Sequence, residues 1–256
     1  MKVATWNVNS IRLRIESVID WLEKTGTDVL CVQETKVEDG NFPLEPFTLA
    51  GYNVAFYGQK SYNGVAIISK HDITEVQKGF HDDDDEQPKR LIAANVNGVR
   101  IVNTYIPNGT ELGTDKFTFK LDWLQRLRHM FDADCDLNTK VLLCGDFNVA
   151  MDENDVWSVP AWTGKLHFTL TERAAMHYVK QWGFADVYRQ QNGDKKEFSW
   201  WNYREGSWQK DQGLRIDHIW VSPSLAEKCS ACWIDRDPRG GEKPSDHTPV
   251  VAEFAV

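Results

Sequence analysis

Polar residues stand two apart where apolar runs stop, as Asn7 and Asn9 in TWNVNS and as Asp146 and Asn148 in LLCGDFNVA. Side chains alternate along a strand, so such a pair leaves it on one face. The theme returns where VLCVQE delivers Glu34, NTYIPN delivers Tyr105 and Asn108, GLRID delivers Asp217, and KPSDHTPV sets Asp246 and His247 between two strand-like runs. One Asp at a strand end is ordinary turn chemistry. Burying the whole set without a use would cost stability. Oxygen donors such as Glu34 and Asp246, with Asn7, suit Mg²⁺ (Mn²⁺ as a substitute), whereas zinc would want more His or Cys. A single His beside carboxylates, with neither HExxH nor a Ser nucleophile elbow, points to phosphate ester rather than peptide hydrolysis. That reaction needs a positioned water, neutralised nonbridging oxygens and help for the leaving oxygen.

The elements that must hold these residues alternate along the chain. Val3 to Trp6 reads as a strand, and Ile15, Val18, Ile19 and Leu22 then recur at helical spacing up to Gly26. DVLCVQ, GVAIIS, LIAANV and VRIVNTY are further strands, and Asn97-Gly98 between the last two is a hairpin signal. A helix from about Lys116 to Phe131 leads into VLLCGD, and Thr169 with Glu172 makes a capping box for a helix ending near Gly183. FSWW, RIDHIWV and PVVAEF complete the strands. Strands joined by a hairpin beside strands separated by helices predict mixed sheets covered by helices, in one domain over 1–256. In such sheets the rim where strands end is the usual place for a ligand.

Composition sets the bounds. The chain has 256 residues, 41% apolar, enough for a full core. Its formal charge of -9 argues against coating nucleic acid by counterion release but leaves room for a local phosphate site. The acidic run HDDDDEQPKR is expected to be a solvated loop. The odd set of five cysteines is expected to be reduced, and no signal peptide or membrane span is evident, so a cytoplasmic protein is expected.

TWNVNSIR, QETK, GVAIIS, NTYIPNG, GDFNVA, GLRIDHIWVS and PSDHTPV, in this order, closely resemble the exonuclease III family of DNA repair nucleases within the endonuclease/exonuclease/phosphatase superfamily. The resemblance implies a four-layered α/β sandwich, two mixed β-sheets packed face to face and flanked by helices. It further implies a monomer that cleaves duplex DNA phosphodiesters with Mg²⁺ at abasic sites or 3′ termini, leaving a 3′ hydroxyl and a 5′ phosphate. By the same resemblance Glu34 is the main metal ligand, with Asn7 and Asp246 near the ion. Asp146 orients or deprotonates the attacking water, and Asn148 holds it. Asp217 fixes the ring of His247, which stabilises the pentacovalent charge or acts as a base. Tyr105 and Asn108 contact the scissile phosphate. Trp200, Leu214 and Ile216 match a small apolar pocket for a flipped abasic sugar, although FSWW reads equally as a buried aromatic strand.

His167 and Trp162, in SVPAWTGKLHFTLTER, are bulkier than the small or amide side chains expected there, and are expected to crowd an internal abasic site and favour a strand terminus. Arg12, Lys36, Lys60, Arg90, Arg215 and Lys243 lie in or beside the strand-end motifs, with Asn9 and Arg90 expected near substrate and Arg215 alternatively bracing the sheet. Two rivals stand beside this reading: a phosphatase for lipid or inositol headgroups, and a fold relative that only binds.

Overall fold

The computed structural model describes residues 1–256. Two six-stranded sheets are built from twelve strands. The first sheet runs β11-β12-β1-β2-β4-β3, with β1 (Lys2–Asn7), β2 (Val29–Gln33), β3 (Asn53–Tyr57), β4 (Val65–Ser69), β11 (Cys229–Ile234) and β12 (Val250–Phe254). The second runs β5-β6-β7-β8-β10-β9, with β5 (Ile73–Lys78), β6 (Leu91–Val96), β7 (Val99–Tyr105), β8 (Val141–Asp146), β9 (Ala185–Asp186) and β10 (Asp217–Val221). Each sheet holds one parallel pair, β1 with β2 and β7 with β8, among antiparallel neighbours. The four-layered sandwich is therefore as expected.

Alternation explains the layers. Every residue of β8 is buried. Leu142 and Cys144 join the core between the sheets, whereas Val141 and Leu143 face the helix side. There they meet α3 (Asp115–Asp134) and α4 (Leu170–Lys180), and on the other side of the molecule α1 (Ile11–Thr25) and α2 (Leu44–Leu49) cover the first sheet. A strand buried on both faces reads as a continuous apolar run, as VLLC does. Asn97 and Gly98 both take left-handed backbone, closing the β6–β7 hairpin as their types demand. Gly145 is required for a different reason: a Cβ there would lie 1.8 Å from the Thr104 carbonyl oxygen. All five cysteines are free.

Two expectations need correction. FSWW is not a strand. Ser199 and Trp200 both donate their N–H to the Leu214 carbonyl while Trp201 donates to that of Asp246, so the segment bridges two partners instead of extending one ladder. Asp217 does not end a strand but begins β10. Because β10 runs antiparallel to β8, its start still lies beside Asp146. The acidic run is the solvated loop expected, with Asp82, Asp84, Asp85 and Glu86 exposed, and Asp82 and Asp83 both accept from Arg126 of α3.

Arg215 is a brace. Its fully buried guanidinium donates from Nε to Asp155 at 2.6 Å and from an Nη to Asp186 at 2.8 Å. Asp155 in turn accepts the N–H groups of Met151 and Asp152, in the loop that follows Asn148. Removing one partner of a buried ion pair strands the other charge, so Arg215→Met should lower the unfolding free energy by about 3–5 kcal/mol. Urea denaturation measures this, and a loss below about 1 kcal/mol, the scale of an exposed pair, would refute the bracing role. Asp155 and Asp186 have lowered pKa values despite burial, Arg215 being the chief cause. Their contribution to stability is present above the ordinary carboxylate range and is lost as pH falls through the lowered values.

Candidate functional site

The two sheets end side by side. β1 stops at Asn7 and its parallel neighbour β2 at Gln33, so Glu34 comes next. On the second sheet Tyr105, Asp146 and Asp217 are consecutive register partners across β7, β8 and β10. Asn7 joins the two groups, its Nδ2 donating to Glu34 Oε1 and to Asp146 Oδ2, each at 2.9 Å. The Asp146 carboxylate also accepts the Asn148 N–H at 2.9 Å. Asn108 donates from Nδ2 to Asn148 Oδ1 at 3.1 Å. Residues from the end of β1 to the segment after β8 thus form one hydrogen-bonded array.

His247 lies between two carboxylates. Its Nδ1 is 2.9 Å from Asp217 Oδ2, and its Nε2 is 3.7 Å from Asp146 Oδ2. A carboxylate only accepts, so Nδ1 carries a proton. Burial opposes a charge on the ring, yet Asp217 first and Asp146 next outweigh it and raise its pKa to about 10. Burial raises Asp146 to about 7, against the pull of the His247 charge. The pair sets a base matched to neutral pH beside a persistent cation, which is what water activation and a developing phosphorane require. Burial, with the Glu34 and Asp146 charges, raises the Tyr105 phenol well above its usual value, so it remains a proton donor.

The oxygen set also fits a hard divalent ion. The Lys36 ammonium already lies on it, 2.8 Å from Glu34 Oε2 and 2.6 Å from Asn9 Oδ1. Asn9 Nδ2 then donates to Asp246 Oδ1 at 3.0 Å, and Trp200 Nε1 to Asp246 Oδ2 at 3.0 Å. Glu34 is held ionised against burial by the Asn7 amide and by Lys36. A second grouping, Asp146, Asp217 and His247, brings one ligand atom each within 4.8 Å of one another. The His247 Nδ1 is committed to Asp217, and a ring with its pKa raised to about 10 carries a proton on Nε2 as well, so this grouping suits proton chemistry, whereas Glu34, Asn7 and Asp246 offer the oxygen donors that a hard divalent ion favours.

The remaining residues fall into place with some changes. Arg90 lies over the Tyr105 ring at 4.5 Å and donates to its carbonyl, at the edge of the site. Leu214 and Ile216 form a small apolar cluster with Phe168, against which Trp162 and half-buried Trp200 pack. Leu214 and Ile216 are buried, so the partly exposed Trp162 and Trp200, with Val159, supply the cluster's accessible face. The His167 ring is 6.5 Å from Trp162 and 6.5 Å from Trp200, and its Nε2 is 3.5 Å from Asn108 Nδ2. Of the cations expected on a rim, Arg12, Lys60 and Lys243 are exposed, whereas Lys36 turns inward and Arg215 is buried.

Sequence reasoning missed Ser199, whose hydroxyl donates to Asp217 Oδ2 at 2.6 Å while accepting the N–H groups of Ile216 and Asp217. It also missed Arg14, which ties the Val8 and Asn9 carbonyls to that of Pro244. Lys120 and Glu172 were not foreseen as neighbours of the site. Lys120 is signalled by a polar residue on an otherwise apolar helix stripe, and Glu172 by its capping box with Thr169, which gives no hint of Lys120.

This fold, with a carboxyl of raised pKa beside a histidine of raised pKa and a group of oxygen donors where two sheets end, suits metal-dependent phosphodiester hydrolysis. The endonuclease/exonuclease/phosphatase family model matches residues 4–247, and the chain belongs to that family. It is 35% identical to exodeoxyribonuclease III of Haemophilus influenzae, over 99% of this chain and all of that protein. An AP endonuclease from Archaeoglobus fulgidus superposes with a TM-score of 0.96 at 41% identity, covering 100% of both chains. The 3′ phosphatase NExo from Neisseria, bound to a product DNA hairpin, does so with a TM-score of 0.96 at 36% identity, again covering 100% of both. The chain is accordingly a nuclease of the exodeoxyribonuclease III kind.

Proposed function

We propose that residues 1–256 act as one catalytic domain, a monomeric, cytoplasmic DNA repair nuclease that uses Mg²⁺ or Mn²⁺ and works on 3′ termini of duplex DNA in preference to internal abasic sites. Relatives named for abasic-site cleavage and for 3′-end processing are equally similar in fold, so the comparisons leave the preference open. The observation that carries it is His167, a buried ring that occupies the space between Trp162, Trp200 and Asn108. A strand that continues past the target sugar has to pass this ring, and a strand that ends there does not.

In this reading Glu34, Asn7 and Asp246 hold the ion, which when bound neutralises phosphate charge. Asp146 takes a proton from the attacking water, and Asn148 orients that water. The Nε2 proton of His247 faces a nonbridging oxygen. Tyr105 and Asn108 hold the phosphate and assist departure of the 3′ oxygen, while Asn9 and Arg90 meet the neighbouring backbone. A protein that only binds would not need a base and an imidazolium side by side, and relatives that match nearly the whole chain are named for DNA cleavage and repair, not for lipid headgroups.

The test compares turnover on an internal abasic-site duplex, a recessed 3′ end and a 3′-phosphorylated end, with Mg²⁺ and with chelator. The terminal substrates should be cleaved at least about tenfold faster, and only with the ion, since a closed-off pose costs about 10²-fold per ångström of misplacement. Equal or faster internal incision would refute the preference. His167 has φ 74, a backbone that glycine adopts freely. His167→Gly should therefore fold and raise internal incision by up to about 10²-fold.

A further inference from the structure

Lys120 stands on α3, its side chain fully buried, outside the group of residues that face the substrate. Its ammonium makes three contacts: the carbonyl of Asn108 at 3.2 Å, the carbonyl of Asn148 at 2.8 Å, and Glu172 Oε1 at 2.6 Å. Three donors meet three acceptors, so the group is saturated. Glu172 is equally committed. Its Oε1 also accepts the His167 N–H at 3.0 Å, and its Oε2 accepts the Thr169 N–H at 3.2 Å and hydroxyl at 2.6 Å. The Asn148 carbonyl accepts a second bond, from His167 Nδ1 at 2.7 Å. That bond fixes the ring's neutral tautomer, with the proton on Nδ1 and the lone pair of Nε2 toward Asn108. One buried ion pair therefore touches the backbone of three residues, Asn108, Asn148 and His167, that line the proposed phosphate site.

A helix core position is an expensive place for an ammonium, because burial disfavours its charge. An apolar side chain would fill the space but could not reach two carbonyls. Asn148 is in left-handed backbone, φ 51, as is His167, and such conformations persist only where the surroundings hold them.

We infer that Lys120 is a positioning residue for hydrolysis, its ammonium clamping the main chain of Asn108 and Asn148 and, through Glu172, that of His167, so that these side chains meet the phosphate in one fixed arrangement. The inference rests on hydrolysis at this centre, whichever DNA end is preferred. Burial first, and the Lys120 charge second, lower the pKa of His167 to about 4, in keeping with a ring held neutral.

The test is the double variant Lys120→Met with Glu172→Gln, which removes both charges and leaves no lone buried carboxylate. The kcat and KM are measured per folded molecule on a duplex with a 3′ end, and the His167 ring is followed by nitrogen NMR. Wild-type protein on the same duplex comes first, so absent turnover there counts against the nuclease reading and not against Lys120. We expect kcat to fall about 10²-fold, the scale of a 1 Å misplacement, with KM nearly unchanged. The ring should lose its single Nδ1-protonated signature. A kcat per folded molecule within about threefold of wild type, well short of that scale, or an unchanged ring signature, overturns the inference. Should the double variant fail to fold, Glu172→Gln alone decides. A carboxamide offers one acceptor where the carboxylate offers two, so it cannot serve Lys120 and Thr169 together. Both readouts should then move in the same direction, kcat by about tenfold, the cost of one unmet buried hydrogen bond, and if they do not the inference fails.

Discussion

Asp146→Asn is expected to lower kcat by about 10³–10⁴-fold and to leave KM within about threefold, the effect of deleting a general base while keeping its shape. The carboxamide fills the same volume and still offers one oxygen. It can serve the Asn148 N–H or the Asn7 amide but not both, whereas the carboxylate serves both at 2.9 Å. A pH profile adds a second readout. The wild-type carboxyl, raised to about 7 chiefly by burial, must be ionised to act, so kcat/KM should climb as pH rises through about 7. A bound divalent ion moves that limb to lower pH, because positive charge favours the carboxylate. In the Asn variant the limb should vanish. Single-turnover rates at saturating DNA measure both effects. A loss smaller than about tenfold, or an acid limb that persists unchanged, would show that another group activates the water.

The architecture explains why so much of this site is legible in the sequence. A carboxylate or amide that ends an apolar strand must face either solvent or a site, and the strand's period says which neighbours share its face. That reasoning places Asn7, Glu34, Asp146 and Asn148 correctly, because each closes or follows a strand whose other residues are buried. It misplaces Asp217, since register between antiparallel strands decides which end meets Asp146, and register is a property of pairs. It cannot see left-handed backbone. Asn9, Glu34, Lys36, Asn148 and His167 all have positive φ without being glycine, and these turns aim the side chains back over the strand ends. It also misreads aromatic FSWW, where Ser199 reaches Asp217, Trp200 reaches Asp246 and Trp201 packs away against Trp208. The buried charges Lys120 and Asp155 look like ordinary surface residues, and the brace at Arg215 and the cap at Glu172 lack their partners, until the pairs Lys120–Glu172 and Arg215–Asp155, 52 and 60 residues apart, are known.

Asp217→Asn should be nearly as damaging as loss of the base, about 10³–10⁴-fold in kcat, for a reason of tautomer rather than charge alone. Both Asp217 oxygens lie within 3.1 Å of His247 Nδ1. Whichever way the carboxamide turns, its NH₂ group faces a nitrogen that carries a proton in the wild type. The ring then gives up that proton, or swings away from the phosphate. The sign of the pH effect follows. The folded His247 has its pKa raised to about 10, so its charge is present below that value and is lost as pH rises through it. Asp217 is the largest of the groups that hold the charge, so its neutral replacement moves the alkaline limb of kcat/KM downward. A bound divalent ion, being a like charge, lowers the limb in both proteins and leaves the order unchanged. Ring titration of His247 by NMR in ion-free protein isolates the shift from catalysis. A midpoint in the variant equal to that of the wild type would mean that Asp146 and Asp246 suffice to keep the imidazolium, and that Asp217 acts only by aiming the ring.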